Sequence, residues 1–208
     1  MKELMWDSLL RFLKSGNNEW APDRLPPCSG ALVLRNYRTG AVPKERGVGA
    51  MEIAGNEVRA CAVFEDSDIF NRATADNEET WVTGDAMEFF FQTRGREDYL
   101  ELHVTPEEKR LMLHIPDYRT HREIPFEEKT FQGPVRVRTR ILREEKLWCA
   151  EIVFPFELAG LTSQTVSGSR FAICRYNYTR PDPEPEITST RLLPDTGFHY
   201  PPGWHVIE

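Results

Sequence analysis

The sequence lacks any hydrophobic run that approaches the ~20 residues needed to cross a bilayer. Its first 16 residues mix acidic side chains with a broken apolar run and have no small-residue cleavage site, so they do not resemble a signal peptide. We therefore expect no membrane partner, and a cytoplasmic location unless a leader was removed.

The sequence also lacks an excess of basic residues. It has 26 Lys and Arg against 33 Asp and Glu, a net charge of −7, which argues against a nucleic-acid partner. The basic run 135–143 alternates arginine with valine and isoleucine at period two, which favours a solvated strand face over a phosphate-binding stripe.

Several catalytic and metal-binding motifs are absent. No GxSxG elbow, HExxH motif or glycine-rich phosphate loop occurs. The four cysteines have no metal-ligand spacing, and three lie in β-like apolar runs. We expect buried, reduced thiols, although sequence leaves a pairing between two of them open.

The patterns that are present indicate an all-β protein. Apolar residues at helical spacing predict a short helix over residues 3–14, followed by an irregular lead-in to residue 29. Residues 30–208 then contain nine short runs rich in β-branched and aromatic residues. This pattern predicts one domain, an antiparallel two-sheet β-sandwich of jelly-roll-like form with a short N-terminal helix. The connections 65–84, 116–133 and 179–203 are long enough to be functional loops.

Two of the predicted strands carry polar residues at alternate positions. Met87, Phe89 and Phe91 share one face, which leaves Glu88 and Phe90 on the other. On the next strand a second polar row consists of Glu101, His103 and Thr105. Either row could contact hydroxyl groups, but a solvated surface explains each residue taken alone. Asp85 is equally well explained as a structural cap or turn anchor.

The order of several segments resembles carbohydrate-binding module family 9 and its relatives in the DOMON-like β-sandwich superfamily. These segments are EVRACAVFEDSDIFNRATADNEETWVTGDAMEFFFQ, DYLELHVTPEEKRLML, EIVFPFELAGL, RFAICRYNYTR and GFHYPPGWHVIE, within residues 30–208. The resemblance implies a non-catalytic β-sandwich that holds a mono- or oligosaccharide, at a chain end, between two aromatic side chains.

The resemblance also implies roles for individual residues. Trp81 matches the first stacking residue, and Phe198 stands where the family usually has a second tryptophan. Glu88 matches a sugar-contacting glutamate, and His103 lies near a family arginine. Asp85 matches an architectural residue.

The resemblance also implies hydrogen-bonding residues on the strand RYNYTR and a metal site. Arg175 and Asn177 lie near the family's amide side chains, but a slip of one residue would select Cys174 and Tyr176 instead. The family often carries structural calcium, for which oxygen ligands are available before Trp81. These candidates are Asp66, Asp68 and Asp76.

Three alternatives remain at this stage. A haem-binding domain of the same general fold could use Met87 or Met112 with His103 or His114 as axial ligands. A glycoside-active enzyme would need Glu88 and Glu101 to face one cleft. A relative that has lost sugar binding would fit the replacement of the second tryptophan by Phe198.

Overall fold

The chain forms an almost entirely β structure in a computed structural model that describes residues 2–194 and 197–208, with side chains from Met5 onward. The strands are β1 (Arg24–Leu25), β2 (Leu32–Asn36), β3 (Gly47–Ala54), β4 (Glu57–Glu65), β5 (Ala86–Gln92), β6 (Tyr99–Val104), β7 (Arg110–Ile115), β8 (Arg136–Leu142), β9 (Leu147–Pro155), β10 (Arg170–Asn177), β11 (Glu186–Ser189) and β12 (His205–Ile207). The helices are α1 (Lys2–Lys14), α2 (Thr80–Thr83) and α3 (Phe126–Lys129), with 3-10 turns at Phe156–Ala159 and Pro201–Gly203. None of the described helices has the length and apolar character to span a bilayer.

The strands form two sheets joined through β2. Sheet I has the order β7-β6-β5-β10-β11 and sheet II the order β3-β4-β9-β8. Strand β2 pairs antiparallel with β3 through residues 32–34 and with β11 through residues 35 and 36, so it passes from one sheet to the other. The predicted antiparallel sandwich with an N-terminal helix is confirmed.

The core lies between the two sheets. Met87, Phe89 and Phe91 of β5 all point into it, as their alternation predicted, because successive side chains of a strand face opposite sides. From sheet II, Phe154 lies with its ring centroid 6.2 Å from Phe89 and 5.6 Å from Phe91. These contacts fix how the sheets face each other, and therefore which residues of sheet I point outward.

Helix α1 covers the outer face of sheet II. Its predicted apolar stripe is buried there through Leu9 and Leu13, together with Trp6. The Trp6 indole Nε1 donates a hydrogen bond to the Ala150 carbonyl oxygen at 3.2 Å. The lead-in is also attached to the sandwich, since β1 pairs in parallel with β12.

The nine predicted strand runs correspond to β2–β10. Sequence patterns missed three short strands, β1, β11 and β12. Strands β1, β11 and β12 have two to four residues, too few to show an alternating pattern. Strand β11 lies within the predicted 179–203 connection, of which residues 195 and 196 lie outside the described residues. All four cysteines are free, and three of them are buried as expected.

The basic run forms the edge strand β8. Arg136 and Arg140 are exposed, and the Arg138 guanidinium lies 4.3 Å from the centroid of the Trp6 ring. The arrangement agrees with the predicted solvated strand face, with one arginine used to cover α1.

Two connections cover the outer face of sheet I, residues 116–130 and the described parts of the C-terminal segment, residues 190–194 and 197–204. Trp204 anchors the second of these: its ring packs on Phe90 and Tyr99 at centroid distances of 5.4 and 5.2 Å. Its Nε1 donates a hydrogen bond to the Phe198 carbonyl oxygen at 2.9 Å. The cover removes this face of the sheet from water.

We expect Trp204→Ala to lower the free energy of unfolding by about 3–5 kcal/mol, because it leaves a cavity between the C-terminal segment and sheet I. Urea denaturation followed by circular dichroism measures the change. Leu192→Ala is the matched control: Leu192 lies in the same segment and is 54% exposed, so its effect should stay within about 0.5 kcal/mol. Equal effects of the two substitutions would contradict this anchoring role.

Candidate functional site

Three ionisable side chains form a cluster on the outer face of sheet I. Glu88 of β5 lies opposite His103 of β6 in the antiparallel register, and Glu101 lies on the same face two residues before His103. Their exposed fractions are only 2%, 1% and 4%, in that order. The expectation of a solvated position for each residue was wrong, because the two covering connections close over this part of the sheet.

His103 links the cluster. Its Nε2 lies 2.9 Å from Glu101 Oε1 and 3.4 Å from Glu88 Oε1. Its Nδ1 lies 2.7 Å from Oγ1 of Thr80, the first residue of α2. The second carboxylate oxygen of Glu101, Oε2, is buried without a hydrogen-bond partner among the described residues. The nearby imidazole of His199 places its Nε2 3.6 Å from this atom.

Burial sets the ionisation of the cluster. It raises the pKa of Glu88 to about 8, with the charge of Glu101 acting in the same direction and His103 opposing the rise. Burial alone would lower the pKa of His103, but the two carboxylates outweigh it and raise that pKa above its ordinary value. Burial opposes the charge on Glu101 as well, yet His199 and His103 hold its pKa below the ordinary value. At neutral pH the cluster therefore combines an ionised Glu101 with a protonated Glu88, and the two carboxyl groups favour the protonated form of His103.

A cavity of about 350 Å³ opens over the cluster. Its lining includes Trp81, Glu88, Glu101, Tyr176, Phe198 and His199, with Arg38, Arg122 and Lys129 contributing cationic groups. The volume lies near the lower end of the roughly 300–1,000 Å³ that is typical of small-molecule sites. The cavity thus combines aromatic rings with buried acids and cationic side chains.

Trp81 forms one wall of this cavity from the single helical turn α2. The half-buried indole makes edge contacts with His103 and Phe126, at centroid distances of 5.8 and 5.7 Å. The Tyr178 hydroxyl donates a hydrogen bond to the Trp81 carbonyl oxygen at 2.8 Å. The ring contacts orient the indole, and the hydrogen bond holds the backbone of α2 in place.

Phe198 lines the same cavity but presents little of its ring. It is 5% exposed and is surrounded by Tyr37, Tyr176 and Phe90 at centroid distances of 5.2, 5.8 and 5.9 Å. The structure brings Trp81 and Phe198 to one cavity, as the resemblance implied. Phe198 nevertheless forms part of a packed aromatic wall and is not a free second stacking surface.

The structure does not bring Arg175 and Asn177 to the cavity. In β10, Cys174 pairs with Glu88, and Arg175 pairs with the core-facing Met87. Because side chains alternate along the strand, the even-numbered Cys174 and Tyr176 share the Glu88 face. The one-residue slip considered from the sequence therefore describes the observed register.

Arg175 instead belongs to a buried ion pair on the opposite face of sheet I. Its Nη2 donates to Asp66 Oδ2 at 3.0 Å and to Asn177 Oδ1 at 2.5 Å. Its Nη1 donates to the Glu65 carbonyl oxygen at 2.9 Å, and the guanidinium stacks on Phe64. Arg175 and Asn177 thus hold the end of β10 to the end of β4.

The three calcium candidates each have their own arginine partner. Asp66 pairs with Arg175, Asp68 with Arg180 and Asp76 with Arg110. The carboxylates point to three different cations, and the described residues do not gather them into one oxygen-rich site. This arrangement does not support the calcium site implied by the resemblance.

The structure also separates the residues of the haem alternative. Met87 and Met112 are fully buried in the core between the sheets, whereas His103 lies on the outer face of sheet I. His114 is half-exposed and lies 2.7 Å from the carboxylate of Asp98. The named methionine and histidine side chains therefore do not form an axial pair.

Asp85 has the architectural role considered from the sequence. Its two carboxylate oxygens each accept a backbone hydrogen bond at 2.8 Å, from Phe70 and from Tyr178. The residue is fully buried, and it ties the connection before α2 to the end of β10.

Sequence reasoning missed a pair of histidines in the cavity wall. The rings of His121 and His199 stack at a centroid distance of 4.1 Å, and His199 Nδ1 lies 2.6 Å from the Tyr99 hydroxyl. Burial lowers the pKa of His199 to about 4. His199 directly follows Phe198 in the segment GFHYPPGWHVIE, so its place near the site could have been predicted from the sequence. Its contact with His121 could not, because no spacing in the sequence connects the two histidines.

Comparisons with solved structures show that this fold occurs in proteins that bind carbohydrates. A proposed carbohydrate-binding protein from Bacteroides uniformis has a TM-score of 0.61 and 15% identity, over 85% of this chain and 84% of the other. A family 9 carbohydrate-binding module from Caldicellulosiruptor kristjanssonii, in complex with cellotriose, has a TM-score of 0.52 and 13% identity, over 80% and 74%. The glucose complex of a family 9 module from the same organism has a TM-score of 0.51 and 11% identity, over 80% and 76%.

These likenesses lie far below 25% identity and establish the shared fold alone. No protein-family model matches the sequence. A search of curated proteins also found no match.

The ionisation of the cluster predicts a pH-dependent stability. The raised pKa values of Glu88 and His103 mean that their protonated forms stabilise the folded state at low pH and that this stabilisation is lost as the pH rises through the raised values. In metal-free buffer, the contribution of Glu88 to the free energy of unfolding should fall as the pH rises from about 4.5, its ordinary pKa, to its raised pKa of about 8. Glu88→Gln should flatten the fall, since glutamine has no proton to lose at this position.

Denaturant titrations across the pH range measure both slopes. Glu128→Gln, at an exposed position in α3, serves as the control and should keep the slope of the unsubstituted protein. An unchanged slope in Glu88→Gln would show that the cluster does not titrate in this way.

Proposed function

We propose that this protein binds a saccharide, without converting it, in the cavity above Glu88. One observation carries the proposal: the half-buried indole of Trp81 and the buried carboxyl groups of Glu88 and Glu101 line one cavity. The fold shared with carbohydrate-binding proteins supports it.

The lining suits the two kinds of surface that a sugar presents. A pyranose ring has patches of C–H bonds that pack on an aromatic face, and its hydroxyl groups need donors and acceptors around them. Trp81 supplies the aromatic face, while Tyr176 and Phe198 supply the remaining apolar wall. Their rings are held by packing, which limits the conformational entropy lost on binding.

The acidic pair suits hydroxyl groups in particular. An ionised carboxylate only accepts hydrogen bonds, whereas a protonated one also donates. Glu101 and Glu88 occupy these two states at neutral pH. His103 lies beneath them and fixes their positions, and Lys129 and Arg122 add donors from the covering connection.

The cavity is suited to one terminal sugar unit. Its volume of about 350 Å³ is small, and it lies under the two covering connections, not along an open groove. This shape agrees with capture of a chain end. Glucose and cello-oligosaccharides head the list of candidate ligands, because the two family 9 modules of the same fold were solved with glucose and cellotriose.

The arrangement of the carboxyl groups favours binding over hydrolysis. Glycosidases place two carboxyl groups on either side of the scissile bond, roughly 5–10 Å apart. Here Glu88 and Glu101 each have an oxygen within 4.8 Å of the other and of the same His103 nitrogen. They lie side by side in the floor of the cavity and share the imidazole of His103, so they do not flank a bond from opposite sides.

We expect Trp81→Ala to weaken saccharide binding by at least about 30-fold, the loss expected for a stacking residue that contributes about 2 kcal/mol. Isothermal titration calorimetry against a panel of mono- and oligosaccharides that includes glucose and cello-oligosaccharides measures it. Trp20→Ala is the matched control, because Trp20 is also partly exposed but lines a different cavity beside Arg191; its affinity should equal that of the unsubstituted protein.

Three outcomes would contradict the proposal. No binding by the unsubstituted protein across the panel would favour a relative that has lost sugar binding. Unchanged affinity in Trp81→Ala would place the ligand elsewhere. Release of reducing sugar from any panel member would favour the glycoside-active alternative.

A further inference from the structure

We propose that Glu88, Glu101 and His103 bind a divalent transition-metal ion, Zn²⁺ in the first place, at the floor of the cavity. The inference does not depend on a saccharide ligand. It rests on the geometry of the three donor atoms, on an unsatisfied carboxylate oxygen and on the charge of the cluster.

The spacing of the donor atoms is close to that of zinc ligands. Zinc binds histidine nitrogen and carboxylate oxygen at about 2.0–2.2 Å in tetrahedral geometry, which places neighbouring ligand atoms about 3.3–3.5 Å apart. His103 Nε2 lies 3.4 Å from Glu88 Oε1 and 2.9 Å from Glu101 Oε1. All three atoms lie within 4.8 Å of one another, so small side-chain adjustments would bring them around one ion.

The orientation of the imidazole fits a metal ligand. Ligating histidines usually donate their second ring N–H to an oxygen, which fixes the ring and the tautomer. Thr80 Oγ1 lies 2.7 Å from His103 Nδ1 and can accept that hydrogen bond. The Nε2 lone pair is then directed at two carboxylates, an arrangement that requires a proton or a metal ion between them.

The second carboxylate oxygen of Glu101 points to the same conclusion. Oε2 is buried and has no hydrogen-bond partner among the described residues, although Glu101 is only 4% exposed. Leaving such an atom unsatisfied destabilises the folded state. The negative charge of the Glu101 carboxylate is spread over Oε1 and Oε2. A cation bound by Glu101 would compensate that charge.

Among the described residues, the cluster lacks the arginine counterion that two other buried acids have. Buried Asp66 has Arg175 as its counterion, and buried Glu151 has Arg59 and Arg138 within 4 Å. In the part of the chain that the structure describes, neither Glu88 nor Glu101 has an arginine or lysine at that distance. Once metal binding has displaced their protons, two carboxylates and a neutral imidazole carry a charge of −2, which a divalent ion balances.

The donor set favours zinc over calcium and magnesium. Imidazole is a good ligand for zinc and other transition metals, whereas calcium and magnesium prefer oxygen ligands in larger number. Three protein ligands leave a fourth position for water or another molecule. This position would face the cavity, where Glu88 and Glu101 are part of the lining.

The test uses the full chain stripped of metal by a chelator. On titration with ZnCl₂ we expect one saturable equivalent, a rise in the melting temperature, and release of protons from the cluster, because metal ligands must be deprotonated. CaCl₂ and MgCl₂ should produce none of these changes at the same concentration. Replacement with Co²⁺ should give the visible absorption bands of a low-coordinate nitrogen and oxygen site.

Glu101→Gln should weaken zinc binding by at least about 100-fold. Removing a residue that only supports a metal ligand costs about 10–100-fold in affinity, and Glu101 is proposed as a direct ligand. His114→Gln is the matched control. It also removes an imidazole that lies beside a carboxylate on the β6–β7 hairpin, at 2.7 Å from Asp98, but this pair is at the surface. Zinc affinity of the control should stay unchanged.

The proposal is overturned if the unsubstituted protein shows no saturable zinc equivalent and no Co²⁺ bands, since a proton then occupies the cluster. It is equally overturned if His114→Gln, and not Glu101→Gln, abolishes binding, or if calcium binds in preference. Should Glu101→Gln fail to fold, the Co²⁺ spectrum and proton release of the unsubstituted protein decide. Zinc binding without saccharide binding would leave this inference standing while the proposed function fails.

Discussion

The exclusion of water from the outer face of sheet I is the constraint on which the site depends. Trp204 fixes the C-terminal segment against Phe90 and Tyr99, and the connection 116–130 closes the other side. Under this cover, polar groups that would be ordinary on an open sheet acquire shifted pKa values and must satisfy one another. The cluster of Glu88, Glu101 and His103 has its chemical character because of that cover.

Sheet I carries two polar systems on its two faces, and they are balanced in different ways. Toward the core, Asp66 is neutralised by Arg175, which is further held by Asn177 and a backbone carbonyl. Toward the cavity, the acids have imidazoles as close partners among the described residues, His103 for both and His199 for Glu101. The first system is closed by the protein's own cation and stabilises structure, whereas the second remains open to a proton, a hydroxyl group or an ion.

Local patterns in the sequence predicted the longer helix and strands, and the face of β5 that points into the core. The stripe of α1, nine strands and the inward row of Met87, Phe89 and Phe91 all follow from residue periodicity. The remaining features depend on contacts between distant residues. The His199–Tyr99 contact spans 100 positions, and the short strand β11 exists because β10 and β2 pair with it. The face on which Arg175 lies depended on a register that sequence alone left open by one residue.

The crossing of β2 from one sheet to the other has a mechanical consequence. Its first three residues pair with sheet II and its last two with sheet I, and these backbone pairings oppose sliding or parting of the two layers. A widening of the cavity that keeps these pairings intact has to come from the covering connections, and loop motions of that kind take nanoseconds to microseconds.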